Sequence, residues 1–283
     1  MYSAYFSLRE NPFNLTPDPR YFFLSPHHQE ALNHLLYGIH GKKGFILITG
    51  NVGTGKTTLC RSFLANLDQK VATALVFNSF LSEMELLETI VQEFGLSLTD
   101  SERSRKRYID VLNEFLLDNF SKGKNAVLLI DEGQNLSRGV LEQIRVLSNL
   151  ETEREKLLQI VLIGQSELQG IMAMPSLRQL NERITVRYHL PSLDRTDVNS
   201  YINHRLSVAG NNGSIRFTPY AYRLIYHYSE GIPRRINAIC DRCLLVAYTK
   251  DTFIIDRKTV KYAMKDLKVN YLIPKKRFFK FLD

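Results

Sequence analysis

Apolar and polar positions along the chain fall into two textures. Up to about residue 190, short unbroken apolar runs alternate with longer stretches of helical period. The runs are Gly44 to Thr49 (GFILIT), Ala72 to Phe77 (ATALVF), Ala126 to Ile130 (AVLLI) and Leu157 to Ile163 (LLQIVLI). A segment that is apolar at nearly every position predicts a strand covered on both faces, as in a parallel sheet. Ile184 to Leu190 alternates more and predicts a fifth strand. Between these lie Thr58 to Leu67, Glu83 to Phe94, Arg107 to Phe120 and Val140 to Leu150, all with helical spacing. Strand and helix in alternation imply crossover connections and helices on both faces of the sheet. After Pro191 the strand runs stop. Asp194 to Val208, Pro219 to Tyr228, Pro233 to Tyr248 and Asp256 to Leu267 predict four helices, with Asp194, Thr218 and Asp256 as cap residues. The change of texture predicts an α/β domain over residues 1–190, a small all-helical domain over 191–270 and a short tail, 271–283.

The candidate chemistry sits where the first strand run ends. Gly50-Asn51-Val52-Gly53-Thr54-Gly55-Lys56-Thr57 fits GxxxxGK[ST] between a strand and a helix, the context a phosphate-binding loop requires. Its glycines let successive backbone N–H groups point into one concavity, which the following helix N-terminus completes as an anion site. Lys56 then reaches the β- and γ-phosphates, the Thr57 hydroxyl is a ligand for Mg²⁺, and Thr58 continues the phosphate-binding set into the helix. By composition alone the pattern occurs on the order of once in a hundred chains of this length. About 75 residues later the run AVLLI ends in Asp131-Glu132. That placement offers one carboxylate for the Mg²⁺ shell and a second to polarise an attacking water. Together the two motifs indicate nucleoside triphosphate binding, and an intact Glu132 indicates hydrolysis. Positive charge for the γ-phosphate is available from Arg178 and Arg183 in SLRQLNERI and from Arg234 and Arg235 in GIPRRIN.

Composition narrows the class without choosing a partner. At 283 residues, 44% hydrophobic and 23% charged, the chain is an ordinary globular one, neither collagenous nor disulfide-stapled. It has no run approaching 18 apolar residues and no basic, apolar opening of the secretory type, and its three cysteines suit a reducing compartment, so a cytoplasmic protein is expected. Cys240 and Cys243 have CxxC spacing, but no second pair exists and both fall within one predicted helix, which favours core packing over zinc. His27-His28 is read as a cap or surface pair in a loop, and Arg103 to Arg107 (RSRKR) as a solvated helix start. The net charge of +8 is concentrated at one end. From Arg257 to Asp283 nine basic residues face two acidic ones, a net of +7, which leaves +1 for the other 256 residues. The segment PKKRFFKFLD mixes basic and aromatic residues after a proline, as membrane-proximal or nucleic-acid-contacting segments do. Anionic lipid is the leading partner for it, and DNA the second.

These residues resemble the AAA+ ATPases. More narrowly, they resemble the general secretion pathway protein A (ExeA-type) ATPases, with their pilus-biogenesis (MshM-type) and exosortase-associated relatives. The resemblance runs over nearly the whole chain, through NPFNLTPDPRYFFLSPHHQEALNHLLYGI, GNVGTGKTTLCR, LLIDEGQNLS, IVLIGQSEL, LRQLNERITVRYHLP and GIPRRINAICD. It implies a five-stranded parallel P-loop core with a helical lid, ATP as fuel with Mg²⁺, and homo-oligomeric rings or filaments with nucleotide between neighbouring subunits. It also implies an arginine finger supplied in trans at Arg183, with Arg178 as second choice, and a lid arginine, sensor 2, at Arg234. Gln165 falls at the sensor 1 position, where the family more often carries Asn or Thr.

Two functional classes follow. In the first, the ATPase drives assembly of a secretion, pilus or polysaccharide-export machine from the cytoplasmic face of the inner membrane, and the basic tail resembles sequence just inside a membrane span. In the second, it is a DNA-associated ATPase resembling transposition regulators of the TnsC type. The family-specific segments favour the first.

Overall fold

The computed structural model describes residues 2–16, 18–68, 70–77, 80–99, 103–153 and 155–269. The basic–aromatic tail, on which the expectation of an anionic partner rests, lies outside them. In chain order the elements are α1 (Tyr2–Tyr5), α2 (Pro26–His40), β1 (Phe45–Gly50), α3 (Lys56–Ala65), β2 (Val71–Val76), α4 (Glu83–Glu93), α5 (Arg105–Ser121), β3 (Asn125–Ile130), α6 (Arg138–Leu147), β4 (Gln159–Gly164), α7 (Glu167–Met172), α8 (Arg178–Asn181) and β5 (Val186–Leu190). There follow α9 (Arg195–Val208), β6 (Arg216–Phe217), α10 (Pro219–Ser229), α11 (Pro233–Thr249), β7 (Ile254–Ile255) and α12 (Arg257–Val269). By their contacts the described residues divide into two compact units, one within Pro26–Pro191 and a second made of those up to Ser25 with those from Ser192 to Val269.

The first unit is a five-stranded sheet of order β2-β3-β4-β1-β5, parallel at every pairing. Strand position explains the two kinds of apolar run. Central β1 and β4 are buried at every residue and β3 at all but its first, whereas the edge strands β2 and β5 include part-exposed positions. Side chains alternate across a strand, and the cores sort by parity. Phe45, Leu47, Leu128, Ile130, Ile160 and Leu162 pack under α4, α5 and α6. Ile46, Ile48, Val127, Leu129, Val161 and Ile163 pack with α2 and α3. Two apolar faces per strand therefore require helices on both sides, which is what the crossovers supply.

Helix α2 replaces the loop expected around His27-His28. Pro26 occupies its first position, where a missing N–H costs nothing, and Ala31, Leu32, Leu35 and Ile39 form its buried stripe. The approach to the sheet is close: a β-carbon on Gly38 would lie 2.4 Å from Ile46 Cδ1.

The second unit is helical. Asp194, Thr218 and Asp256 accept backbone N–H groups of Asp197, Ala221 and Thr259, so the expected caps are made. It is not wholly helical, because β6 and β7 pair in parallel over two residues each. The opening segment also belongs here, and not with residues 26–190 as its place in the chain suggested. Phe6, Leu8, Phe13 and Tyr21 share a buried core with α9, α10, α11 and α12. Arg205, 6% exposed, fastens it. Its guanidinium donates to Pro12 O at 2.5 Å, Tyr201 OH at 2.9 Å and Asn14 O at 3.2 Å, and lies 4.7 Å from the Tyr21 ring centroid. Cys240 and Cys243 are buried in this core with burial raising both thiol pKa values, and no metal-ligating cluster occurs among the described residues.

Candidate functional site

The Gly50–Thr57 loop leaves the carboxyl end of β1 and enters α3 at Lys56. Gly53 and Gly55 have φ of 81° and 101°, the left-handed region that costs a side-chain-bearing residue about 1–2 kcal/mol. At Gly50 a β-carbon would stand 2.8 Å from Leu190 O, so only glycine lets β1 end against β5. Lys56 folds back on its own loop, Nζ donating to Gly50 O at 2.8 Å and Asn51 O at 3.0 Å. Burial pulls its pKa below the ordinary lysine value, with Glu132 and Asp131 opposing the shift.

Strand parity continues past the end of β3. Asp131 carries on the series Val127, Leu129 and so points to the α3 side, where Thr57 Oγ1 donates to its Oδ2 at 2.8 Å. Its Oδ1 accepts the Glu132 N–H at 2.8 Å. Burial raises the Asp131 pKa, and these two hydrogen bonds oppose the rise. A buried carboxylate beside a hydroxyl is a set of hard oxygen donors, which fits Mg²⁺. Glu132 adopts φ 54°, and its Oε2 accepts from Gln134 Nε2 at 2.6 Å and Gln165 Nε2 at 3.2 Å.

Several residues outside the two motifs hold them. His28, 3% exposed on α2, lies under the loop with Nε2 3.0 Å from Thr54 O. A carbonyl can only accept, so Nε2 carries the proton of that tautomer. Ser166 donates to Asn51 Oδ1 at 2.8 Å, and Gln169 donates to Thr49 Oγ1 at 2.6 Å. The turn after β4 thus touches the acidic strand end through Gln165 and the phosphate loop through Ser166. No local pattern marks Gln134, Ser166 or Gln169, whereas the apolar stripe Ala31, Leu32, Leu35 and Ile39 after Pro26 is the overlooked signal for the helix that carries His28.

Residues 39–172 match the AAA domain family. Over 250 residues the chain is 48% identical to the general secretion pathway protein A of Aeromonas hydrophila, an alignment covering 88% of this chain and 45% of that protein. The chain belongs to the AAA+ family and is of the general secretion pathway protein A type. It spans a little under half the length of that relative. The AAA+ fold is shared with CDC6P of Pyrobaculum aerophilum (TM-score 0.67, 16% identity, 92% of this chain and 75% of that one). It is shared also with the ORC2 protein of Aeropyrum pernix, solved as ADPNP–ADP complexes (TM-score 0.66, 17% identity, 91% and 71%).

The AAA+ expectations for the remaining side chains divide. Gln165, expected at the sensor 1 position, stands at the end of β4 and meets Glu132. Arg183 is half-buried, its Nη1 donating to Ser148 Oγ at 3.1 Å at the C-terminus of α6. Arg178 is 81% exposed and paired with Glu182 at 2.8 Å. Arg234 is exposed in the first turn of α11 on the helical unit. Val52 is exposed in the loop, and Thr58 is half-buried in the first turn of α3.

Proposed function

We propose that this AAA+ protein binds and hydrolyses ATP at the Gly50–Thr57 loop and uses the cycle to drive assembly of a cell-envelope machine for secretion, pilus biogenesis or polysaccharide export. One observation carries the reading: Thr57 Oγ1 and Asp131 Oδ2 meet at 2.8 Å beside Lys56, on a strand end whose next residue is Glu132. The named function of the Aeromonas hydrophila relative supports the choice of machine.

Backbone N–H groups from Gly53 to Thr58 would receive the phosphates. Lys56 would exchange the Gly50 and Asn51 carbonyls, which already hold its ammonium at 2.8 and 3.0 Å, for phosphate oxygens. Thr57 and Asp131 would hold Mg²⁺, whose charge offsets that of the phosphates. Glu132 would take the proton of the attacking water. Charge on the transferring phosphoryl group would be met by Arg183 of a neighbouring copy, with Arg178 as the alternative, and by Arg234. Rings or filaments of this chain would therefore be its working form, in the cytoplasm or at the cytoplasmic face of the inner membrane. No helix among the described residues is long and apolar enough to cross a membrane. The tail 271–283 would supply contact with anionic lipid.

Phosphate release and particle size with and without ATP test the reading in wild type, Glu132→Gln and Arg183→Ala. Glu132→Gln should keep ATP affinity and lose about 10²- to 10⁴-fold in turnover. Arg183→Ala should lose turnover at unchanged affinity, and only where wild type assembles. Wild-type turnover in Glu132→Gln would refute the assignment, and lost ATP affinity in Arg183→Ala would give that side chain a structural role at Ser148. Nucleotide-dependent duplex binding that falls steeply with salt would favour the DNA-associated class instead.

A further inference from the structure

We propose that Gln134 is the positioning residue for Glu132, deciding which carboxylate oxygen faces the attacking water; the inference rests on the ATPase reading above. Gln134 lies two residues beyond Glu132 and is bonded at both ends of its amide. Nε2 donates to Glu132 Oε2 at 2.6 Å, and Oε1 accepts the Gln165 backbone N–H at 2.9 Å. Gln165 Nε2 donates to the same Glu132 oxygen at 3.2 Å. Two amide donors therefore converge on Oε2, which fixes the plane of the carboxylate and assigns Oε1 to the proton-accepting role. A free glutamate samples several rotamers, and water activation needs one of them.

The surroundings are built to admit this side chain. A β-carbon on Gly133 would lie 2.7 Å from Leu162 Cδ1 and 3.2 Å from Ile163 O, so glycine lets the turn after Glu132 settle onto β4. A β-carbon on Gly164 would lie 2.9 Å from Gln134 Oε1 and 3.3 Å from Gln134 N, so a second glycine clears the end of β4 for the amide. Glu132 itself sits at φ 54°, a backbone that Asp131 supports by accepting its N–H at 2.8 Å. Backbone and side chain of Glu132 are each held, the one by Asp131 and the other by Gln134 and Gln165.

The two ends of the Gln134 amide are separable by mutation. Gln134→Glu keeps an oxygen for the Gln165 N–H but removes the donor to Glu132, whereas Gln134→Met removes both. The measurements are single-turnover ATP hydrolysis, ATP affinity by fluorescent nucleotide, and thermal midpoint, on the full chain. Gln134→Glu and Gln134→Met should both lose about 10- to 100-fold in turnover rate, with ATP affinity within about twofold, and Gln134→Glu should melt below wild type because its carboxylate stands against that of Glu132. Wild-type or faster turnover in Gln134→Glu would overturn the proposal, as would a loss in turnover matched by an equal loss in ATP affinity. Wild type that binds ATP without hydrolysing it would instead overturn the ATPase reading, and this one with it.

Discussion

Replacing Gly164 by alanine adds a single methyl at the end of β4, and the site amplifies it. The new β-carbon would stand 2.6 Å from Leu168 Cδ2 and 2.9 Å from Gln134 Oε1. Carbon atoms rest at about 3.5–4.0 Å from one another, so Leu168 Cδ2 must withdraw by roughly 0.9–1.4 Å, and Gln134 Oε1, an oxygen with a slightly shorter contact distance to carbon, by roughly 0.5 Å. Leu168 has no exposed surface into which to move, and overpacking of this kind costs about 1–3 kcal/mol. Gln134 can withdraw only by stretching its 2.9 Å bond to the Gln165 N–H toward about 3.4 Å, beyond the ordinary hydrogen-bond range. That adds about 0.5–1.5 kcal/mol and turns the amide away from Glu132. Catalysis should fall at least about tenfold, since a 1 Å misplacement costs on the order of 100-fold. Urea denaturation reads the first loss and steady-state phosphate release at saturating ATP the second. A variant destabilised on this scale that turns ATP over at the wild-type rate would refute the link from Gly164 through Gln134 to Glu132. A wild-type denaturation midpoint would refute the close contact itself.

Two further outcomes are expected elsewhere in the molecule. Burial holds the His28 imidazole below its ordinary pKa, with the Thr54 carbonyl partly opposing. The unfolded chain then binds more protons, so the contribution of His28 is present above about pH 6.5 and is lost as pH falls below it toward the lowered folded value. The drop in melting temperature from pH 7.5 to 5.5 should shrink in His28→Gln, and an unchanged drop would contradict the assignment. In Arg205→Met, the buried carbonyl of Pro12 loses its donor while the exposed carbonyl of Asn14 regains water, for a loss of about 1–3 kcal/mol in urea unfolding and faster proteolysis of the opening segment. A variant as stable and as protease-resistant as wild type would show that Arg205 does not fasten that segment.

The parallel sheet and the two motifs were legible because each is written in local chain order. A strand covered on both faces must be apolar at successive positions, and all four unbroken runs became strands within two residues of the expected ends. The phosphate loop was equally plain, since its backbone demands glycines at fixed spacing. The opening segment was misplaced because adjacency in sequence says nothing about a 25-residue stretch whose aromatic side chains are buried by helices that begin at Arg195. His28 was read with His27 as a cap or surface pair in a loop because a histidine looks the same in sequence whether it meets water or a loop carbonyl.

By itself, the sequence pointed to the residues proposed to bind phosphate and magnesium, because that capacity belongs to residue types within eight consecutive positions and at the end of one strand. It also determined a two-part architecture, through the change from strand runs to helical spacing at Pro191. Only the tertiary structure decided what holds those groups in place. Gln134, Gln165, Ser166 and His28 reach the loop and Glu132 from α2, from the turn after β3 and from the end of β4. The last two meet because the strand order puts β4 between β3 and β1, and α2 brings His28 to the loop by packing against β1, β5 and α3. A hydrogen bond is decided by distances of tenths of an ångström between atoms far apart along the chain, and no pattern of neighbouring residues encodes such a distance.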